Sequence, residues 1–131
     1  IPLIIKISYF PEIEHLEKFV CAVVPFVQAI AAINTIVSKI IDNNGNPILT
    51  GGMSTSGTCG ASIKWAGLEM VRKLKKLREK FNYSFKIIGV GGVMNPDDFF
   101  EYRNAGADFV MSGTGAMWNP YLAKEIKERL E

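Results

Sequence analysis

The sequence predicts an α/β fold in which parallel strands alternate with helices. Short apolar runs of the kind buried on both faces of a sheet recur along the 131 residues, and helical patterns separate them. The last two of these runs both end in glycine turns, GVGG and SGTG. Because a helix lies in every connection between strands, neighbouring strands should run parallel, with the helices packed outside the sheet.

The predicted elements form four βα units. The strands span residues 3–7, 26–33, 86–90 and 108–112, and the helices span residues 12–23, 61–81, 96–104, 114–118 and 119–130. Asn95 is the expected N-cap of the third helix, with Pro96 at its first position. Four such units amount to half of a TIM (β/α)₈ barrel.

One long segment, residues 38–60, is predicted to be irregular because it is rich in Asn, Gly, Ser and Thr. Loops of this length in compact domains often act as binding loops or lids, and the alternative is a mobile surface insertion. Composition leaves both interpretations open.

A basic run, RKLKKLREK, occupies residues 72–80 of the longest predicted helix. Its apolar residues recur at helical spacing, so the charges are expected to form a solvated outer face. The net charge of +2 provides no electrostatic footprint for nucleic acid, and no nucleic-acid partner is predicted.

The cysteines and the single histidine predict no metal site. Cys21 and Cys59 fit neither a metal spacing nor a disulfide framework, and His15 has no acids or cysteines at ligand spacing. The reducing cytoplasm is therefore the expected location. No apolar run reaches the length of a membrane span.

The candidate site lies at the C-terminal ends of the strands, where barrels of this type carry their chemistry. The residues at these ends are Lys6, Asn34, Thr35, Gly91, Gly92, Gly113 and Thr114. Adjacent glycine N–H groups can form an anion nest because no side chain keeps the anion away. Each glycine turn could be a simple tight connection, but two in consecutive βα units favour a phosphate site, with residues 114–118 as its short extra helix.

This set of groups suits a ligand with one phosphate and a polar head that needs a positive charge, next to a second molecule bound by an amide. Neither glycine turn has P-loop spacing, and the chain contains no Ser-His-Asp set, HExxH motif or obvious carboxylate pair. Hydrolytic chemistry therefore finds little support.

The order IIKISYF, AINTI, GG…CGASIK and IIGVGGVMNPDDFFEYRNAGADFVMSGTG resembles the C-terminal half of the dihydroorotate dehydrogenase family, particularly its class 1 enzymes. It is also similar to the flavin domain of dihydropyrimidine dehydrogenase. The resemblance covers essentially the entire chain. It implies an FMN-dependent oxidation of dihydroorotate to orotate in pyrimidine biosynthesis.

The resemblance also implies roles for single residues. Lys6 would contact the flavin near its N1/O2 edge, while Asn34, with Thr35 beside it, would bind the pyrimidine. Gly60 would approach the cofactor through its backbone. The FMN phosphate would be held by Gly91, Gly92, Gly113 and Thr114. Cys59 would be a small loop residue near the cofactor, because the family's catalytic base, a Cys or Ser on a loop of the N-terminal half, would precede Lys6.

Residues 1–131 are therefore expected to be the C-terminal half of a TIM-barrel FMN-binding domain from a longer protein, with no catalytic base of its own. The expected partners are the small-molecule substrate and either the missing N-terminal half or further copies of the chain in a homo-oligomer. Two alternatives are a phosphate-binding barrel enzyme without a flavin, and a non-catalytic half-barrel subunit that packs on a partner chain.

Overall fold

The computed structural model describes residues 1–51 and 53–131, which contain a four-stranded sheet, a two-stranded sheet and five α-helices. The strands are β1 (Ile4–Ile7), β2 (Ala29–Ala32), β3 (Ile36–Lys39), β4 (Thr55–Thr58), β5 (Lys86–Val90) and β6 (Phe109–Met111). The helices are α1 (Ile13–Val23), α2 (Lys64–Lys80), α3 (Pro96–Ala105), α4 (Thr114–Trp118) and α5 (Leu122–Glu128), with a single 3₁₀ turn at Ala61–Ile63.

The larger sheet has the strand order β1-β2-β5-β6, and all of its neighbours are parallel. A helix lies in each connection, α1 after β1, α2 before β5 and α3 before β6. The predicted α/β fold of four βα units, half of a (β/α)₈ barrel, is thus confirmed. Strands β2 and β6 are shorter than predicted, because only the inner residues of the apolar runs 26–33 and 108–112 pair with a neighbouring strand.

Helix α3 begins as its sequence predicts. The Asn95 side chain accepts a hydrogen bond from the N–H of Asp98 at 3.0 Å, and the Asp98 carboxylate accepts one from the N–H of Asn95 at 3.2 Å. This reciprocal capping box satisfies two backbone donors that would otherwise lack partners. The helix ends at Ala105, and the next residue, Gly106, has a φ of 112°, a left-handed conformation that glycine adopts without strain. The short helix expected at residues 114–118 is also present as α4.

Helices α1, α2 and α3 cover one face of the sheet and form the main core with it. Fully buried residues of this core include Leu16, Val20, Ile30, Val71, Leu74, Leu77 and Ile87. Arg72, Lys76 and Lys80 lie on the exposed side of α2, which confirms the predicted solvated face. Within the described ranges, no helix combines the length and the apolar character needed to cross a membrane.

The other face of the sheet is open at its edges. Ala31 pairs with Ile88, which pairs with Phe109, so these side chains share this face because strand residues alternate between faces. Phe109 is 58% exposed, and Met111 on the same strand is 53% exposed. Ile4 on the opposite edge strand is 55% exposed. In a closed barrel such residues would fill the interior.

The prediction of an irregular segment at residues 38–60 is wrong in part. β3 and β4 form an antiparallel pair in which Ile36 lies opposite Thr58 and Lys39 opposite Thr55. The sequence hides this pairing because β4 reads Thr-Ser-Gly-Thr and has no apolar alternation, so only the contact with β3 makes it a strand. Gly52, which the sequence pairs with Gly51 in a glycine motif, lies outside the described residues.

Asp108 lies just before β6 and links it to α2 and β5 at the N-terminal ends of the strands. Its carboxylate accepts a hydrogen bond from Arg78 of α2 at 2.5 Å and another from the N–H of Ile87 at 2.8 Å. Burial alone would raise the pKa of Asp108, but the Ile87 N–H and the Arg78 guanidinium together outweigh it and lower the pKa. A carboxylate whose folded pKa lies below the unfolded value of about 3.9 stabilises the fold at neutral pH.

Asp108→Asn is therefore expected to lower the free energy of unfolding by about 1–2 kcal/mol at pH 7. Because the carboxylate loses its charge as the pH falls through its folded pKa, the difference from the wild type should shrink below about pH 4. Urea titrations at several pH values measure this. Asp97→Asn is the matched control, since its ion pair with Arg129 is exposed and should contribute under about 0.5 kcal/mol. A difference for Asp108→Asn that stays constant from neutral pH to about pH 3 would contradict the assignment.

Candidate functional site

One cleft at the C-terminal ends of the parallel strands contains all the site residues predicted from sequence. It encloses about 130 Å³. The predicted residues that line it are Lys6, Asn34, Thr35, Gly60, Gly91, Gly92, Gly113 and Thr114. Apolar walls come from Ile33, Ile63, Val90, Val93 and Met111. The cleft therefore combines a cation, an amide, hydroxyls and glycine turns on an apolar floor, as a site for a small polar ligand requires.

The turn after β5 presents bare backbone to this cleft. Gly91 has a φ of 125° and Gly92 a φ of 68°, and both values favour glycine. A Cβ on Gly92 would lie 2.7 Å from the Cβ of Lys64 and 2.9 Å from the carbonyl oxygen of Gly60. The Gly60 loop and the start of α2 are thus packed directly against this turn. Among the described residues, no acceptor receives a hydrogen bond from the N–H of Gly92.

The turn after β6 leads into α4 and lies beside the first turn. Ser112 donates a hydrogen bond to the carbonyl oxygen of Val93 at 2.7 Å and accepts one from the N–H of Ala116 at 3.2 Å. A Cβ on Gly113 would meet no atom within 4 Å, so the space beside it is free. In the described part of the chain, the N–H groups of Gly113 and Thr114 also donate to no acceptor. Two neighbouring turns therefore offer unpaired donors.

Lys6 supplies the positive charge. It lies on β1 opposite Ala31, on the open face of the sheet, and its side chain is exposed. Across residues 1–51 and 53–131, no carboxylate lies within ion-pair distance of its ammonium group. An unpaired cation at a cleft is available to a ligand, whereas Lys73 and Lys75 of α2 pair with Glu69 and Glu79 on the same helix.

Asn34 and Thr35 follow β2 at the rim of the cleft. The N–H of Asn34 donates to the carbonyl oxygen of Ile7 at 2.9 Å, which ties this strand end to β1. Its side-chain amide is exposed and forms no hydrogen bond to a described residue. Thr35 packs against the hairpin, because a Cβ on Gly57 would lie 2.6 Å from its hydroxyl oxygen. Among the described residues, the donors and the acceptor of the Asn34 amide are therefore free, and Thr35 lies in close contact with the β3–β4 pair.

Cys59 and Gly60 bring the end of β4 to the glycine turns. Gly60 has a φ of 80°, and a Cβ there would lie 3.5 Å from the methyl group of Thr114. The Thr114 hydroxyl donates to the sulfur of Cys59 at 3.4 Å. The thiol is free and exposed. Cys59 thus lies at the glycine-turn end of the cleft, which agrees with its expected place as a small loop residue there.

Sequence reasoning missed an ion pair that lies next to this cleft, between the helices α2 and α3. The Lys64 ammonium lies 2.7 Å from the carboxylate of Asp98, which is buried, and 3.2 Å from the carboxylate of Glu101, which is exposed. The hydrogen bond that the Lys64 ammonium donates to the Asp98 carboxylate is the main reason that the pKa of Lys64 is raised. The pair joins the start of α2 to the start of α3. No local pattern announces it, since Lys64 lies 34 residues from Asp98.

Comparison with known proteins places this chain in a family. The family model described as "Dihydroorotate dehydrogenase" matches residues 1–131. The chain is 42% identical over 125 residues to the dihydroorotate dehydrogenase of Dictyostelium discoideum, covering 94% of this chain and 34% of that protein. It is 31% identical over 131 residues to the dihydroorotate dehydrogenase B (NAD(+)) catalytic subunit of Staphylococcus carnosus, covering 99% of this chain and 40% of that protein.

A solved structure shows the same fold. The crystal structure of the Eimeria tenella enzyme in complex with ferulenol superposes with a TM-score of 0.75 at 20% sequence identity, covering 98% of this chain and 33% of that one. The chain therefore spans between one third and two fifths of the length of these relatives. On the match to the family model and on these identities, the chain belongs to the dihydroorotate dehydrogenase family.

Proposed function

We propose that this chain is the C-terminal half of an FMN-binding barrel that oxidises dihydroorotate to orotate in pyrimidine biosynthesis. The observation that carries the proposal is the unpaired ammonium of Lys6 in the same cleft as two glycine turns with unpaired N–H groups. The family membership and the names of the relatives support the same reaction. Activity, substrate and partners of the whole protein are part of this proposal.

The described residues fit an FMN group. The glycine turns offer backbone donors where a side chain would fill the space, and a phosphate needs such donors. The proposed phosphate ligands are Gly91, Gly92, Gly113 and Thr114. Gly60 lines the cleft through its backbone, and Lys6 provides a cation for the flavin ring. Bound FMN would supply the hydride acceptor for the oxidation.

The proposed task of Lys6 is electrostatic. Its fixed ammonium would stand beside the N1/O2 edge of the ring, where negative charge accumulates on reduction, and stabilise that charge. Asn34 would hold the pyrimidine through its unpaired amide, with Thr35 next to it. The proton on the substrate carbon would go to a base outside residues 1–131. Cys59 does not take this role, because it lies at the glycine-turn end of the cleft with Thr114.

The proposal also includes the N-terminal half of the barrel as a partner, in the same polypeptide or in another. The apolar side chains of Ile4, Phe109 and Met111 are exposed to solvent. Four more βα units would bury them inside a closed barrel. Association of several copies in a homo-oligomer is the second proposed partnership. We propose the cytoplasm as the location, because exposed Cys21 and Cys59 suit reducing surroundings.

Flavin binding is the direct test. The protein that contains this chain and its N-terminal half is expected to take up FMN, absorb light between about 350 and 500 nm, and lose that absorption when dihydroorotate is added without oxygen. Residues 1–131 alone are the control and are expected to be inactive, since half of the barrel is missing.

Three results would contradict the proposal. A colourless protein that takes up no FMN would favour a phosphate-binding barrel enzyme without a flavin. Dihydroorotate oxidation by residues 1–131 alone, above a control with free flavin, would show that this half already contains the base. A stoichiometric partner chain with no dehydrogenase activity in the complex would favour a non-catalytic subunit.

A further inference from the structure

We propose that Tyr102 is a positioning residue for the phosphate end of the cleft, because its buried hydroxyl holds the peptide between Gly91 and Gly92 in the orientation that presents the Gly92 N–H. The inference rests on the proposed function, since it assigns a supporting residue to the same site. Tyr102 lies on α3 and lines no part of the cleft itself.

The structure makes a specific space for this ring. Tyr102 is fully buried between α2 and β5. A Cβ on Gly67 of α2 would lie 1.9 Å from the Tyr102 hydroxyl oxygen, and a Cβ on Gly89 of β5 would lie 2.3 Å from its Cδ1. Glycine costs stability inside both a helix and a strand. Two glycines at these positions are therefore explained by the ring that they admit.

Among the residues that the structure describes, the hydroxyl has one hydrogen-bond partner, which belongs to the glycine turn. The Tyr102 hydroxyl donates to the carbonyl oxygen of Gly91 at 2.6 Å. Burial raises the pKa of Tyr102, so the hydroxyl stays protonated and remains a donor. Because a buried hydroxyl without an acceptor is costly, this bond constrains both groups.

Holding the Gly91 carbonyl also fixes the donor on the other side of the same peptide. The peptide unit is planar and trans, so the N–H of Gly92 points away from the carbonyl of Gly91. That carbonyl is turned toward the helix layer, where Tyr102 is buried. The N–H of Gly92 is therefore turned toward the cleft, and no described residue accepts a hydrogen bond from it. Without the hydrogen bond from Tyr102, two adjacent glycines would let this peptide adopt other orientations more easily.

The decisive variant is Tyr102→Phe, which keeps the ring and removes only the hydroxyl. In the protein that binds the flavin, dissociation constants are measured for FMN and for riboflavin, which lacks the phosphate. We expect FMN to bind about 5- to 10-fold more weakly to the variant, as the loss of one hydrogen bond implies. The dissociation constant of riboflavin should change less than about twofold, because the Tyr102 hydrogen bond orients an N–H group that would contact the phosphate, which riboflavin lacks.

Tyr83→Phe is the matched control, since its hydroxyl is exposed and donates a hydrogen bond to the sulfur of Cys21 at 3.5 Å. It should change neither constant. An equal loss for both flavins, no loss for either, or a Tyr102→Phe protein that no longer folds in a urea titration would assign Tyr102 a purely structural role and overturn the proposal. A wild-type protein that binds FMN no better than riboflavin would instead refute the phosphate site, and the Tyr102 proposal with it.

A readout without flavin follows from the same geometry. In the Tyr102→Phe protein, the amide hydrogen of Gly92 should exchange with solvent at a different rate, because its peptide is no longer held, while amides of α1 exchange as in the wild type. An unchanged exchange rate of the Gly92 amide would contradict the proposal that Tyr102 holds this peptide.

Discussion

Lys6→Met should slow the reduction of bound flavin by dihydroorotate by about 10²- to 10³-fold. The physical reason is that the unpaired ammonium on β1 is the positive charge that the described residues offer on the open face beside the glycine turns. A fixed charge that already points at the site needs no reorganisation when negative charge develops, so its removal has a large effect on the rate. Stopped-flow absorbance without oxygen measures this rate.

Two further variants test whether charge at this position is responsible. Lys6→Arg keeps a cation and should retain more activity than Lys6→Met. Lys18→Met removes an exposed lysine of α1, away from the cleft, and should leave the rate unchanged. FMN affinity should fall far less than the rate in Lys6→Met, because this variant leaves the proposed phosphate donors unchanged. A rate within a factor of about three of the wild type would refute the assigned role.

Gly115→Ala should lower the free energy of unfolding by about 3 kcal/mol and weaken FMN binding. A Cβ on Gly115 would lie 2.0 Å from the carbonyl oxygen of Val93 and 3.0 Å from the Cα of Met94. Both are backbone atoms of the connection between β5 and α3, so no side-chain rotation can relieve the overlap. The start of α4 must therefore move away from the Gly91-Gly92 turn, which separates the two halves of the proposed phosphate site.

Gly113→Ala is the matched control for stability. It adds the same methyl group two residues earlier, where nothing lies within 4 Å and φ is −106°. Its free energy of unfolding should stay within about 0.5 kcal/mol of the wild type. Urea titrations of both variants provide the comparison. Equal stability of Gly115→Ala and Gly113→Ala would mean that α4 does not pack as the structure shows.

The predictions from sequence were strongest where a pattern is local. β5 was predicted with its observed bounds, because a short apolar run ends directly at a glycine pair. The start of α3 was predicted from Asn95 and Pro96, since capping involves residues only three positions apart. The cleft at the strand ends followed from the parallel order alone, because parallel strands bring their C-terminal ends to one face.

Features that depend on distant partners were missed. The hairpin of β3 and β4 pairs residues about twenty positions apart through a strand of Ser, Thr and Gly. The ion pair between Lys64 and Asp98 and the contact of Tyr102 with Gly91 join separate elements. Their side chains carry no periodicity or spacing that singles them out, so only the folded chain reveals them.

The alternation of strands and helices, the parallel sheet and the residues at its C-terminal ends could be predicted from the sequence, because hydrophobic periodicity and the placement of glycine and proline act within a few residues. The groups that lie behind the cleft and the backbone donors that stay free depend on how distant elements pack. The space for the Tyr102 ring forms only where Gly67 of α2 packs next to Gly89 of β5. The orientation of the peptide between Gly91 and Gly92 depends on that packing, because Tyr102 reaches this peptide from that space.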